Sequence, residues 1–449
     1  MKKLLIFFLA GLLFACNPPG KKPESAGPVV PEWCNNAVLY EVNIRQYTPE
    51  GTFNAFAKHL PRLKNLGVDI LWIMPVNPIS EKNRKGSLGS YYSVKDYKAI
   101  NPEFGTMNDF KQLVTQAHEL GMKVIIDWVA NHTGWDNQWI YNHPDWYTTD
   151  STGAIISPDP DWTDIADLNF ESKPMRRAMI EAMNFWVKET DIDGFRCDVA
   201  WGVPQDFWEE ARASIDSVKP VYMLAEDEDH PGFLKKAFNS NYAWELHHIL
   251  NDVAQGKKTA RDIRTYFDDT NEKYAPGSFP IQFITNHDEN SWNGSEYERM
   301  GDAVKTFATL TFTIEGMPLL YSGQEAGLKK RLRFFEKDTI NWADTTMQAF
   351  YRSLIILKHA NPALWNGNSG APIVFAETSA PDQTLAFTRT KENNQLLAIF
   401  NLSPKPAECS VKLPAAGTYQ DYFSGETKTF GIDTKLDLDK WAYRVYVQK

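Results

Sequence analysis

The chain has 449 residues, of which 43% are hydrophobic and 23% charged, enough for one large core and a smaller second domain. Its formal net charge of −10 argues against nucleic acid as a partner, because phosphate binding needs basic patches. Tryptophan is in excess, with 15 residues; these rings serve packing and also give flat faces for small-molecule pockets, sugars included.

Lys2 and Lys3 form a positive region ahead of the apolar run Leu4 to Leu13. That run is too short to span a bilayer comfortably, so residues 1–15 are expected to be a signal peptide. Leu13-Phe14-Ala15-Cys16 resembles a bacterial lipoprotein cleavage box, although Phe14 is bulkier than the usual residue there. The resemblance implies that Cys16 becomes the lipidated first residue of the mature protein. It would then hold the protein to a membrane in the cell envelope, on the periplasmic face or the cell surface, by acyl chains worth about 0.8 kcal/mol per buried CH₂. An ordinary secretory signal with an incidental Cys is the alternative. Residues 16–31, rich in Pro, Gly and Lys, read as an extended tether. Cys34, Cys197 and Cys409 are odd in number, so at least one thiol should be free; Cys197, inside an apolar strand, is expected to be buried. No pair has metal-ligand spacing.

From residue 32 to 360 short β runs alternate with amphipathic helices, the rhythm of a parallel sheet with helical crossovers. Val38 to Ile44 reads as a first strand. Phe53, Phe56, Leu60, Leu63 and Leu66 recur at helical spacing, with Gly67 as the stop. Val68 to Ile73 is a second strand. Thr106 and Asp109 form a capping pair for a helix that ends at Gly121, and Lys123 to Asp127 is a third strand. Residues 133–172 break the pattern with much Asp, Pro, Trp and Gly, as an inserted small domain would. A helix from Pro174 to Glu189 precedes a fourth strand, Gly194 to Val199, and a helix from Pro204 to Val218 precedes a fifth, Val221 to Ala225. Ala243 to Leu246 is the weakest, sixth strand; Ile281 to Thr285 and Met317 to Tyr321 complete eight. The pattern fits an α/β fold, a (β/α)8 barrel with an insertion. Residues 361–449 alternate and run apolar between turns, as an antiparallel β-sandwich would.

Polar groups gather where these strands end. Asp127, Asn131 and His132 follow the third, Arg196 and Asp198 end the fourth, Glu226 ends the fifth, and Asn286, His287 and Asp288 end the seventh. In a (β/α)8 barrel these ends share one mouth. Four carboxylates, two imidazoles and a guanidinium are costly to assemble there without a purpose. Glycosidic bond cleavage suits them, since it needs one ionised carboxylate and one carboxylic acid flanking the bond. Burial or a neighbouring negative charge keeps the acid protonated. Arg196, two residues before Asp198 on the same strand face, keeps a carboxylate ionised. The same two side chains give Asp127 a purely structural alternative, as a partner of Arg196.

The chain resembles the α-amylase family of glycoside hydrolases. Asp127-Trp128-Val129-Ala130-Asn131-His132-Thr133, Gly194-Phe195-Arg196-Cys197-Asp198-Val199-Ala200, Leu224-Ala225-Glu226 and Phe283-Ile284-Thr285-Asn286-His287-Asp288 are similar to its four signatures, in order. Secondary matches are Gly67 to Pro75, Asp167-Leu168-Asn169 and Gly316 to Glu325. The resemblance implies Asp198 as nucleophile, Glu226 as general acid/base and Asp288 as transition-state stabiliser, with net retention on α-1,4 or α-1,6 glucosidic bonds of starch-derived glucans or maltooligosaccharides. It implies substrate contact for Tyr92, Asp127, His132, Arg196 and His287, with Tyr92 the aromatic platform and Tyr91 its rival. Many relatives carry Lys-His three and four residues after the nucleophile. Here those positions are Trp201 and Gly202. This puts long-polymer endo action in doubt and offers Trp201 as a stacking face on the leaving-group side. No cofactor is required; a structural calcium is allowed but not demanded, with Asn131 and Asp167 matching its side-chain ligands and Gly202 a backbone contact. Transglycosylation uses the same intermediate and stays open. A non-catalytic glycan-binding protein would be marked by a missing carboxylate, and none is missing.

Overall fold

The computed structural model describes residues 27–270 and 273–448. Cys16, the signal segment and the tether up to residue 26 lie outside the described residues. Eight parallel strands close into a barrel: β1 (Leu39–Val42), β2 (Ile70–Ile73), β3 (Lys123–Val129), β4 (Gly194–Asp198), β5 (Tyr222–Ala225), β6 (Ser240–Tyr242), β7 (Phe279–Gln282) and β8 (Met317–Tyr321). Each pairs with its neighbour in chain order, and β8 returns to β1 with Leu39 opposite Leu319. Helices cover the outside, so the strands are buried on both faces and read as near-continuous apolar runs. Trp72, Trp128, Trp186 and Trp208 are fully buried packing residues.

The expected sixth strand, Ala243 to Leu246, is a misplacement. The strand is Ser240–Tyr242, and Trp244–Ala254 is a helix. Ser240 and Asn241 are fully buried polar residues, so the strand carries no apolar signature, whereas Leu246, Ile249, Leu250 and Val253 follow helical spacing. The helix expected through Phe53 to Leu66 is two, Phe53–Ala57 and Leu60–Leu66. Pro61 lies in the first turn of the second, where a missing N–H is harmless, and it forces the restart. Gly67 ends it at φ 105°. Thr106 and Asp109 form a full capping box on Met107–Glu119.

After β3 the insertion opens with His132–Gly134 paired antiparallel to Ile165–Asp167. Trp146 stacks on His143 and meets Trp139 edge-on, while Trp135 donates its indole N–H to the Thr163 carbonyl. These three tryptophans pack the insertion together. Eight further strands between Ile373 and Gln448 form one hydrogen-bonded antiparallel sheet. Leu385, Phe387, Leu396, Ala398 and Phe400 join the barrel's core, and the alternate residues Ala386, Leu397 and Ile399 join Cys409, Val411 and Leu436 in a second core. The members of that second core all lie between residues 376 and 446, so the sheet curls over itself to bury them, which is how it becomes a sandwich. Arg389, fully buried, donates to the carbonyls of Ile314 and Ala371 and fastens this domain to the barrel. Cys34, Cys197 and Cys409 are all free and buried. Among the described residues, no helix is long and apolar enough to cross a membrane.

Candidate active site

At the carboxyl ends of the strands lies a cleft of about 1280 Å³. It is lined by Asp198, Glu226 and Asp288 together with Tyr92, His132, Trp201 and His287. Residues scattered over the chain therefore meet in one place, because parallel strands point their ends the same way. Asp127 and Arg196 are placed differently. Both are fully buried and lie outside the cleft lining, where Arg196 holds carboxyls that do line it.

Arg196 organises the floor. Its Nη1 donates to Asp127 Oδ1 at 2.9 Å and to Asp198 Oδ1 at 3.0 Å, and its Nη2 forms an ion pair with Glu226 Oε1 at 2.6 Å. Period-two alternation along β4 puts Arg196 and Asp198 on one face, and β3 places Asp127 directly opposite Arg196. Trp72 and Tyr242 flank the guanidinium, whose carbon lies 5.0 Å from the Trp72 ring centroid. The other Glu226 oxygen accepts the Val199 N–H at 2.7 Å, a bond made possible by the left-handed turn at Val199, φ 44°. Burial raises the Asp198 carboxyl well above the carboxylate range, with Glu226 adding to it and Arg196 opposing. Burial raises Glu226 as well; Arg196 opposes and Asp288 reinforces. Two buried acids around one guanidinium titrate as a unit and can retain one proton between them.

A second network runs behind Asp288. Burial works against charge on His287, but Asp288 and Glu41 outweigh it and raise the imidazole to about 9. His287 Nδ1 lies 2.5 Å from Glu41 Oε1, and Nε2 lies 2.7 Å from Tyr92 Oη and 3.3 Å from Asp288 Oδ2. An imidazolium donates to both sides, and Tyr92 passes its own hydrogen on to Asp127 Oδ2 at 3.0 Å. The Tyr92 ring stacks parallel to His287 and to Phe334 and lines the cleft, whereas Tyr91 is buried under Arg45. Asp288 leads into a single π turn, Glu289–Asn293, pinned by Glu289 against His247 at 3.0 Å. His132 is the opposite of His287: burial lowers it to about 3 and keeps it neutral. Asn131 Nδ2 lies 3.3 Å from its Nδ1, which leaves Nε2, without a protein partner, as the protonated nitrogen.

Several site residues were not anticipated. Glu41, fully buried behind His287, could have been, as a lone carboxylate inside an apolar strand. Trp162, Trp292, Phe334, Phe335 and Lys85 come from loops and turns without a periodic signal, and Trp244 and His248 from the helix Trp244–Ala254, whose start is where the sixth strand was expected. Asp227 and Glu228 are buried at the rim, the first held by His230 and the second by Lys273 and the Glu245 N–H. Trp201 is 56% exposed in the turn after β4.

Catalysis in the α-amylase family needs no cofactor. Asn131 and Gly202 do approach each other: a Cβ on Gly202 would lie 2.6 Å from Asn131 Oδ1. Asp167 stands opposite His132. Ca²⁺ takes roughly six to eight oxygens, backbone carbonyls and waters among them, and no step below uses a metal.

A closed parallel barrel with buried, guanidinium-bridged carboxyls at its carboxyl mouth has the architecture of a (β/α)8 enzyme. Residues 35–160 and 158–372 match the family model described as the alpha amylase catalytic domain, and residues 377–445 match that of the alpha amylase C-terminal all-beta domain. The chain belongs to the α-amylase family of glycoside hydrolases. It is 29% identical over 419 residues to the alpha-amylase MalA of Haloarcula japonica, covering 88% of this chain and 59% of that one. Among solved structures it is similar to a noncanonic maltogenic alpha-amylase, AmyB, from Thermotoga neapolitana. The TM-score is 0.85 at 28% identity, covering 92% of this chain and 98% of that one. It is also similar to an alpha-amylase from Lactobacillus plantarum, with a TM-score of 0.82 at 30% identity, covering 93% and 100%.

Proposed function

We propose that this protein hydrolyses α-glucosidic bonds in starch-derived glucans or maltooligosaccharides with net retention, with Asp198 as nucleophile and Glu226 as general acid/base. The observation that carries this reading is the grip of one buried guanidinium on both carboxyls at the floor of a single cleft. In the first step, protonated Glu226 gives its proton to the glycosidic oxygen while an Asp198 oxygen attacks the anomeric carbon. The bond to the leaving sugar breaks and a glycosyl ester on Asp198 forms. The ester carries no charge, so Glu226, now ionised, no longer faces a charged Asp198. It takes a proton from water as that water attacks the anomeric carbon; the bond to Asp198 breaks, Asp198 is released as a carboxylate, and the sugar leaves with its original configuration. Asp288 lies close enough to place negative charge beside the oxocarbenium-like transition state. Tyr92 gives the sugar ring a flat face, and neutral His132 offers an N–H to a hydroxyl. An acceptor sugar resting on Trp201 or Trp244 would replace water in transglycosylation, so the ratio of longer to shorter products measures the balance.

Asp198→Asn and Glu226→Gln are expected to lose turnover on maltooligosaccharides by at least about a thousandfold while keeping the wild-type circular dichroism. Wild-type rates in either variant would remove its assigned role. Proton NMR of the nascent sugar should show the α anomer first; the β anomer would rule out double displacement. We further propose that Cys16 is lipidated and holds the enzyme at the cell envelope.

A further inference from the structure

The cleft is not alike at its two ends. The loops after β4, β5 and β6 supply Trp201, Asp227 to His230 and Trp244 on one arc of the barrel. The loops after β7, β8 and β2 supply Trp292, Phe334, Phe335 and Lys85 on the opposite arc. Glu226 and Trp201 stand on the first arc, so in the reading proposed above the leaving group departs there. The second arc receives the non-reducing end.

That second arc is tied shut. Lys85 Nζ bridges the cleft to the insertion, 3.1 Å from Asp164 Oδ1 and 2.7 Å from the Asp161 carbonyl that it donates to. Asp164 is itself nearly buried, and its carbonyl accepts from Ser93 Oγ at 2.8 Å. Two residues on, the Ser87 N–H donates to Glu336 Oε1 at 2.9 Å, and Ser87 Oγ bonds the other Glu336 oxygen. The Leu88 N–H donates to the Phe335 carbonyl at 3.0 Å. Gly86, at φ 62°, lets the strands of this knot approach, because a Cβ there would come within 2.5 Å of Phe335 Cβ. Arg45 anchors the loop from below through the Gly89 carbonyl at 3.0 Å. Trp292, Phe334 and Phe335 lean on one another with centroids 5.1 to 5.8 Å apart. The platform ring of Tyr92 lies 6.2 Å from Phe334, which is 5.1 Å from Phe335.

We infer that Lys85, Asp164 and Phe335 close the non-reducing end of the cleft, so that the enzyme cuts a unit of one or two sugars from chain ends and excludes internal attack. The closure rests on the α-glucan reading above and deepens it. The test compares a maltoheptaoside free at its non-reducing end with one carrying a 4,6-O-benzylidene block there. Wild-type enzyme should hydrolyse the blocked substrate at least about tenfold more slowly, as a steric barrier in a specificity pocket requires. Lys85→Ala, and independently Phe335→Ala, should raise the ratio of blocked to free rates towards one and lengthen the first products. Two variants from different loops keep the readout if one fails to fold. Equal wild-type rates on both substrates overturn the closure and leave the α-glucan reading standing. Turnover of neither substrate overturns that reading and the closure with it.

Discussion

His287 and His132 are two buried imidazoles with opposite charge, and they set opposite limbs of a stability profile. His287 keeps its proton in the folded state up to about 9, whereas the unfolded group releases it near 6.5. Its contribution is therefore fully present below 6.5 and is lost as pH rises through 9, a matter of a few kcal/mol. His132 is neutral when folded, down to about 3, so the unfolded chain gains a proton first as pH falls below 6.5, and stability declines on the acid side. Urea unfolding across pH should give a maximum near neutrality. His287→Gln should flatten the alkaline limb and His132→Gln the acid limb; an unchanged alkaline slope in the first would mean that Glu41 and Asp288 do not hold the proton. Trp201 makes a residue-scale prediction about substrate. Exposed beside Glu226, it has a face for a leaving sugar, so Trp201→Ala should lower kcat/KM on maltotetraose by about 1–3 kcal/mol. An activated aryl glycoside needs less from that side and should lose less; equal losses would take Trp201 off the leaving-group side.

Among the elements, β4 is the one most constrained by its neighbours. A Cβ on Gly194 would lie 1.9 Å from the Tyr222 carbonyl oxygen, on the β5 backbone that β4 pairs with. Gly194→Ala should therefore part β4 from β5, displace Arg196 and Asp198, and lower Tm by far more than the roughly 1 kcal/mol loss expected from removing the cap with Thr106→Ala. Thermal unfolding of the two variants side by side checks the order. These elements also mark how far the sequence could be read. Strands rich in Val, Ile and Leu and ending in Asp or Glu were visible, because burial on both faces leaves an apolar run and function leaves a polar terminus. β6 was not, because Ser240 and Asn241 are buried polar residues that break the apolar run. Asp198, Glu226 and Asp288 could be placed from their strands. Asp127 could be placed but its exposure could not, since a strand-end carboxylate looks the same whether it meets a sugar or a buried Arg196. The wall of Lys85, Phe334 and Phe335 was illegible: it depends on how three aperiodic loops meet.

For the molecule as a whole, the anchor proposed at Cys16 predicts that Cys16→Ser moves the protein from the membrane pellet to the soluble fraction with turnover unchanged. A wild-type protein already found in the soluble fraction would refute it. The closure of the barrel has a consequence of its own for how such a protein is made. β1 lies between β2, close in sequence, and β8, whose Leu319 faces Leu39 from the far end of the catalytic domain. While the chain leaves the ribosome, one flank of Leu39–Val42 has no neighbour until Met317–Tyr321 arrives. Contacts of such long range form slowly, and the waiting strand flank is open to other chains. Fragments ending before residue 317 should aggregate. The topology delays completion until the last barrel strand is made, so the polypeptide stays unfolded and threadable for most of its synthesis.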